Sequence, residues 1–169
     1  MTVPSCPGSL SIRSAVPGDV PLILSLIRSL AEYERMRDQC VATEDELEKW
    51  LFREKKAEVV IGEAAGEPVG FALFFTSFST FLGKPGLYIE DLFVLPEARG
   101  KGYGKAILGH LAGLVVGRGY GRLEWACLDW NKPSIVFYLS LGAVPLNEWS
   151  TYRLAGDALH NLAKGAPAR

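Results

Sequence analysis

Three alternating glycines mark the place in this sequence where the backbone itself could bind a ligand. "RGKGYG" puts Gly100, Gly102 and Gly104 directly after Arg99, between an apolar run and an amphipathic pattern. Residues without a Cβ atom let successive backbone N–H groups approach an anion closely. The positive end of the following helix adds to this attraction, as do the nearby basic side chains. The stretch predicts a pyrophosphate site, and the alternative is a ligand-free turn.

Two common phosphate-binding motifs do not fit this stretch. A P-loop needs G-x-x-x-x-G-K before Ser or Thr, but Arg99 and Ala106 occupy its first and last positions. A dinucleotide fingerprint needs G-x-G-x-x-G, and Lys105 stands where the third glycine belongs. The pattern R-G-x-G-x-G, leading from a strand into a helix, is the remaining interpretation.

Composition limits the kind of protein and its partners. With 169 residues and a net charge of −1, we expect one well-buried domain and no nucleic-acid partner. Its apolar stretches are too short to span a membrane, and the N-terminus shows no secretory signal. Cys6, Cys40 and Cys127 are odd in number and widely spaced, so we expect reduced thiols in a cytoplasmic protein, with no metal site.

Changes of hydrophobic period predict one α/β domain with a mixed sheet. A first strand precedes a helix that begins at Asp19 and Pro21, and a second helix begins at Thr43. The later predicted elements are the strands "AEVVIGEA", "VGFALFFTSF", "LYIEDLFVL", "RLEWACL" and "STYRL", and the helices after the glycines and at "PSIVFYLSL". Residues 1–9 are predicted to be a flexible leader and residues 161–169 a flexible tail.

The order of these motifs resembles the Gcn5-related N-acetyltransferase superfamily. The shared stretches are "LIRSLAEYE", "STFLGKPGLYIEDLFV", "RGKGYG" and "LDWNKPSIVFYLSLGA", which resemble the diamine acetyltransferase branch most closely. The resemblance implies an acetyltransferase domain over residues 10–160. It also implies a mostly antiparallel sheet flanked by helices, in which a splayed strand pair forms the slot for acetyl-CoA.

The resemblance also implies which residues bind acetyl-CoA. The glycine segment would hold the pyrophosphate, the splayed strand would bond the pantetheine arm, and the "NKPS" stretch would add further contacts. The residues at these positions are Leu92, Phe93, Val94, Arg99, Gly100, Lys101, Gly102, Tyr103, Gly104, Lys105, Asn131 and Ser134. An alternative for Asn131 is that it simply starts a helix, and both roles are compatible.

Acetyl transfer to an amine needs a neutral amine and a proton for the departing thiolate. An alkyl ammonium has a pKa of about 10.4 and a thiol one of about 8.5. The family pattern assigns amine deprotonation to Glu90 and thiolate protonation to Tyr138. Adjacent strand residues point to opposite faces, so Glu90 and Asp91 are expected on different sides. The alternatives are a core aromatic at Tyr138 and an acid pair at a strand bulge or edge.

The substrate is expected to be a primary amine of a small molecule, either a thialysine-like amino acid or a short di- or polyamine. Tyr33, Glu34 and Trp149 match positions that line the amine site in relatives, although a solvated helix end and a core Trp are alternatives. Ser79 and Thr80 stand where polyamine-acetylating relatives carry an acid, which favours a shorter amine. Relatives imply a homodimer. The alternative functions are an inactive acyl-CoA sensor and a protein lysine or N-terminal acetyltransferase.

Overall fold

A computed structural model of the chain describes residues 10–165. The predicted leader, residues 1–9, lies outside the described residues, as do the last four residues of the predicted tail. The chain divides into two compact units, the first ending at Ala126 and the second beginning at Cys127.

The first unit contains all of the described β-structure. Its elements are β1 (Leu10–Ser14), α1 (Val20–Tyr33), α2 (Glu44–Leu47), β2 (Glu58–Ala64), β3 (Glu67–Ser79), β4 (Lys84–Val94), α3 (Tyr103–Gly117) and β5 (Leu123–Trp125). A π-helical stretch, Glu48–Arg53, continues α2. These elements confirm the strands and helices predicted for this part of the chain, except that β5 is much shorter than "RLEWACL".

The five strands form one sheet in the order β1-β2-β3-β4-β5. The first four are antiparallel to their neighbours and β5 is parallel to β4, which confirms a mixed, mostly antiparallel sheet. Pairing between β4 and β5 runs from Leu87 to Ile89 and stops at the Ile89–Trp125 pair. β4 continues to Val94, so its last five residues lack β5 as a neighbour.

One face of the sheet packs against α1. Buried Ile23, Leu26 and Leu30 of this helix contact Phe71 and Phe93 of the sheet. The helix begins as the sequence predicts, after Asp19 and with Pro21 in its first turn. Burying each such aliphatic side chain contributes roughly 1.5–3 kcal/mol, so this contact is the main attachment of α1.

The predicted cap residue Asp19 serves the turn before α1 rather than α1 itself. Its carboxylate accepts bonds from the Arg13 guanidinium at 2.7 and 2.9 Å and from the Val16 N–H at 2.8 Å. Arg13 holds the pKa of Asp19 below its usual value. The pair therefore links β1 to the start of the helix.

The opposite face of the sheet packs against α3. Ile107 and Leu111 of this helix are fully buried. Gly62 of β2 lies one residue after Ile61, which faces α1, and so it belongs to the α3 side. A Cβ atom on Gly62 would lie 3.1 Å from the Ile107 Cδ1 atom, which explains why β2 has no side chain there. A helix covers each face of the sheet.

The second unit contains two helices, α4 (Lys132–Ser140) and α5 (Gly156–Lys164). The strand predicted at "STYRL" is wrong, because residues 150–154 form no strand. High β-propensity produces a strand only where a neighbouring strand can pair with it, and no described strand pairs with this stretch. Asp157 in the first turn of α5 and Lys164 in its last turn suit the helix dipole. The first four residues of the predicted tail are therefore helical.

Candidate active site

The glycine segment forms a left-handed loop at the start of α3. Gly100 has φ +77° and Gly102 has φ +82°, a backbone region that is costly for residues with a Cβ atom. A Cβ atom at either position would meet nothing within 4 Å, so it is the dihedral angle rather than crowding that requires glycine. Gly104 lies within the first turn of α3.

Backbone donors are concentrated in this loop. The first helical bond of α3 runs from the Ala106 N–H to the Gly102 carbonyl, at 3.0 Å. The N–H groups of residues 103–105 therefore lie in the first turn, where no carbonyl of the helix can accept from them. Lys101 and Lys105 are exposed beside them, and Tyr103 is half-buried. The arrangement suits an anion such as a pyrophosphate.

Arg99 is turned toward α1 and β4. Its guanidinium carbon lies 4.3 Å from the centre of the Tyr33 ring and 5.4 Å from that of Phe93. Its Nε–H donates to the Val94 carbonyl at 2.9 Å. The sequence predicts that the Arg99 side chain binds the pyrophosphate. In the structure this side chain contacts the end of α1 and the end of β4.

The end of β4 offers backbone groups for a cofactor arm. Phe93 is buried in the core, whereas Leu92 and Val94 are half-buried. These three residues pair with β3 on one side and extend past the last pair with β5 on the other. This is the place where the splayed strands were predicted, and an extended arm could add there as a strand does.

A β-bulge at Glu90 changes which way the two adjacent acids face. Leu73 pairs with Asp91 and Phe74 pairs with Ile89, so Glu90 is the extra residue on β4. Paired residues share a face, and Leu73 packs against the α1 cluster, so Asp91 lies on the α1 side. Ile89, two residues earlier, lies on the other side. The simple alternation expected for Glu90 and Asp91 is therefore interrupted by a β-bulge.

Glu34 and Glu90 both act on Asp91 at this bulge, and we call these three residues the acidic cluster. Burial, then Glu90 and Glu34, raises the pKa of Asp91 to about 7. Burial also raises the pKa of Glu34, the residue that caps the C-terminal end of α1. Glu90 is exposed. Such a cluster attracts a cation and can exchange a proton near neutral pH.

Sequence reasoning chose Glu90 and missed the special environment of Asp91. Leu87, Ile89 and Phe93 are spaced by even numbers, as in a regular strand, so nothing in the pattern reveals the bulge. The predicted pair Tyr33 and Glu34 does lie at this site. The Tyr33 ring is 6.3 Å from that of Phe93, and Glu34 acts on the pKa of Asp91.

The second unit holds the remaining predicted residues. Asn131 is buried at the start of α4, and its Oδ1 accepts from the Ser134 N–H at 3.4 Å, which confirms its helix-starting role. Tyr138 is half-buried on α4, with its ring 5.3 Å from that of Phe137. Trp149 is 74% exposed, which contradicts the core-packing alternative.

Ser79 is used by the fold rather than presented to a ligand. Its side chain is buried, and its Oγ accepts from the Leu82 N–H at 3.2 Å, which closes the turn between β3 and β4. Thr80 is exposed in the same turn. Ser79 is therefore a turn-forming hydroxyl in this chain.

Residues 10–165 contain no group of three or more His, Cys, Asp and Glu side chains arranged to hold a metal. No helix in this range is long and apolar enough to cross a membrane. A groove of about 550 Å³ lies beside α3, at His110, Leu114 and Arg118. None of the predicted site residues lines it.

Comparisons with known proteins agree on the kind of domain. The model of the Acetyltransferase (GNAT) family matches residues 24–143. The chain is 40% identical over 166 residues to the thialysine N-epsilon-acetyltransferase of Bos taurus, covering 90% of this chain and 96% of the relative. It is 34% identical, over an alignment of 199 positions, to the L-ornithine N5-acetyltransferase of Arabidopsis thaliana. This alignment covers 90% of this chain and 87% of the relative.

A solved structure has the same fold. An integron cassette protein from the mobile metagenome of V. cholerae superposes with a TM-score of 0.78 at 28% identity, covering 93% of this chain and 99% of that protein. The fold of this chain is therefore one already seen in a solved structure.

Proposed function

Since the chain belongs to the Acetyltransferase (GNAT) family, we propose that it transfers the acetyl group of acetyl-CoA to a primary amine of a small molecule. The acidic cluster carries this proposal, because it places three carboxylates in the unit that also contains the glycine loop. A cation-attracting cluster and an anion-binding loop are what a reaction between an ammonium and a phosphate-bearing cofactor requires.

Backbone groups and basic side chains of the first unit suit acetyl-CoA. The backbone N–H groups at the start of α3, with Lys101 and Lys105, suit the pyrophosphate. The end of β4 from Leu92 to Val94 suits the pantetheine arm. Asn131 and Ser134 remain proposed contacts from α4. When bound, the cofactor supplies an activated acetyl thioester.

The acidic cluster would prepare the amine. An alkyl ammonium with a pKa of about 10.4 must lose a proton before it can attack. Glu90 is exposed and is proposed to take that proton directly or through water. Asp91 and Glu34 lie deeper, and their ionised forms would gain from a bound cation.

Tyr138 is proposed to protonate the departing thiolate, because a phenol is protonated at neutral pH. We expect Tyr138→Phe to lower kcat by about 100-fold, a typical contribution of a general acid. Binding of CoA, measured by calorimetry, should not change. A variant with full turnover over the whole pH range would exclude this role.

The substrate class is proposed from two observations. The Bos taurus relative is named for thialysine and the Arabidopsis thaliana relative for L-ornithine, both of which are amino acids with a side-chain amine. Ser79, buried in its turn, offers no carboxylate for a long polycation. We therefore propose a short amine, or an amino acid with a side-chain amine, in preference to a polyamine.

A panel of amines tests this substrate proposal. Thiol release from acetyl-CoA is followed with thialysine, lysine, ornithine, putrescine and spermidine, and the acetylated product is identified by mass spectrometry. Turnover that is best with a short amine supports the proposal, and a preference for spermidine refutes the substrate class. CoA binding without acetylation of any amine in the panel would favour the sensor or a substrate outside the panel. Acetylation of peptides alone would make it a protein acetyltransferase.

We also propose a homodimer in the cytoplasm. Trp149, Tyr152 and Leu162 of the second unit are 74%, 93% and 68% exposed, and a second copy could bury apolar side chains such as these. Cys40 and Cys127 are both thiols, which is consistent with the reducing environment of the cytoplasm. Sedimentation at micromolar concentration tests the dimer, and a monomer there contradicts it.

A further inference from the structure

We propose that Arg122 and Glu124 recognise the charged head group of an α-amino-acid substrate and so determine which amine is used. The observation is an opposite-charge pair on the face of the sheet that also carries Asp91. Glu124 would bind the α-ammonium group and Arg122 the α-carboxylate. This inference rests on the proposed function and deepens it, because it concerns the part of the substrate that does not react.

Pairing between the strands places Glu124 on the same face as Asp91. Tyr88 of β4 pairs with Glu124 of β5 on one side and with Phe75 of β3 on the other. Phe75 lies two residues after Leu73, which pairs with Asp91 and packs against the α1 cluster. Paired residues share a face, and so do residues two apart on a strand. Tyr88, Glu124 and Asp91 therefore all lie on the α1 side of the sheet.

A glycine makes room for the Arg122 side chain on this face. A Cβ atom on Gly86 would lie 2.9 Å from both the Arg122 Cγ atom and the Ser77 Oγ atom, so the arginine stem lies directly over Gly86. Ser77 pairs with Gly86 and follows Phe75 by two residues, which puts the stem on the α1 side. The Arg122 Nε atom lies 2.7 Å from the Glu124 Oε2 atom.

The charged pair keeps bonding capacity for a ligand. Among the described residues the buried Arg122 Nε atom has no hydrogen-bond partner, so its contact with Glu124 is an ion pair without an aligned hydrogen bond. The Ser77 Oγ atom is buried without a partner in the same part of the chain. The Arg122 and Glu124 side chains are 36% and 27% exposed, which leaves both within reach of a small molecule. A ligand that supplies the missing bonds would therefore be favoured here.

Tyr88 connects this pair to the acidic cluster. Burial, then Glu90 and Glu124, raises the pKa of Tyr88, so both carboxylates act on one phenol. Residues two apart on one face of a strand are separated by about 7 Å, and neighbouring strands by about 4.8 Å. The extended side chain of ornithine or thialysine has a comparable length. The reacting amine would thus lie at Glu90 while the head group reaches Glu124.

An opposite-charge pair favours a zwitterion over a second ammonium group. The α-ammonium and α-carboxylate of an amino acid complement Glu124 and Arg122 one for one, and the planar guanidinium suits a carboxylate. The distal ammonium of a diamine would be attracted by Glu124 and repelled by Arg122, so its net attraction is small. The pair thus supplies a selectivity that the acidic cluster, which attracts any cation, does not provide.

Ornithine and putrescine form a matched pair of substrates, because putrescine is ornithine without the α-carboxylate. In the wild-type protein we expect kcat/KM for ornithine to exceed that for putrescine. Arg122→Gln should lower this ratio by about tenfold, the low end for a charge-assisted hydrogen bond, because the site is partly exposed. Arg122→Glu should reverse the preference, since the second ammonium of putrescine then meets two carboxylates.

Arg118→Gln provides the matched control. Arg118 caps the C-terminal end of α3 and also pairs with a glutamate, Glu58, away from the acidic cluster. Its substitution should leave the ratio of ornithine to putrescine turnover unchanged. An unchanged ratio in Arg122→Gln, or an equal fall of the ratio in Arg118→Gln, overturns the proposal.

Calorimetry measures the same preference without turnover. Ornithine should bind the CoA-loaded protein more tightly than putrescine, and Arg122→Gln should remove this difference while CoA binding stays unchanged, which shows that the variant is folded. A protein that binds ornithine selectively but acetylates neither amine would contradict acetyl transfer to these amines and still support the head-group site. Equal binding of the two amines would overturn the head-group site even in an active acetyltransferase.

Discussion

Asp91 carries a cost in stability that a neutral side chain would remove. Its pKa rises from 3.8 to about 7 because the carboxyl is half-buried near two other acids. The fold favours the protonated form of Asp91. The contribution of protonated Asp91 to the free energy of unfolding is therefore complete below pH 3.8 and is lost as the pH rises through about 7. Asp91→Asn should therefore stabilise the protein most at alkaline pH.

The size of the effect follows from the two pKa values. With 3.8 in the unfolded chain and about 7 in the fold, the cost of ionising Asp91 is about 4 kcal/mol at about pH 8 and about 2 kcal/mol at about pH 5.5. The gain in the free energy of unfolding from Asp91→Asn should thus be about 2 kcal/mol larger at the higher pH.

Urea unfolding at these two pH values measures the difference. Glu67→Gln is the control, since Glu67 is an exposed acid at the start of β3 and does not belong to the acidic cluster. The same Asp91→Asn protein should lose turnover, because it also loses a carboxylate that would face the amine. A stability gain that is independent of pH, or that shrinks as pH rises, would refute the proposed environment of Asp91.

Two glycine substitutions test the backbone around the site. Gly102→Ala should lower the free energy of unfolding by about 1–2 kcal/mol because Gly102 has a left-handed φ, and it should weaken CoA binding in calorimetry. Gly109 lies inside α3 with open space around it, so Gly109→Ala should instead raise the free energy of unfolding by about 0.5–1 kcal/mol. Gly70→Ala should lower Tm more than either, since its Cβ atom would lie 2.4 Å from the Phe93 carbonyl oxygen. A Tm for Gly70→Ala equal to that of the wild type would contradict the described approach of β3 to β4.

Local patterns predicted most of the first unit. The α3 face at Ile107, Leu111 and Val115 and the hairpin of β2 and β3 have clear periods, because one face of each element is buried. The glycine loop was also predictable, since a left-handed turn before a helix needs glycine.

Features that depend on pairing between distant residues were not predictable. The bulge at Glu90 exists only relative to Leu73 and Phe74 of β3, so β4 alone gives no sign of it. The stack of Arg99 on Tyr33 joins residues far apart in the chain. The missing strand at "STYRL" has the same cause, because propensity without a partner strand does not decide structure.

Initial-rate kinetics with acetyl-CoA and thialysine both varied would test the central claim most directly. Thiol release is measured over a grid of both concentrations, with the wild-type protein. Direct attack in a ternary complex predicts saturable turnover and double-reciprocal lines that intersect. Parallel lines would contradict direct attack in favour of an acetylated enzyme. Absence of thiol release with every amine of the panel, in protein that binds CoA, would contradict the acetyltransferase itself.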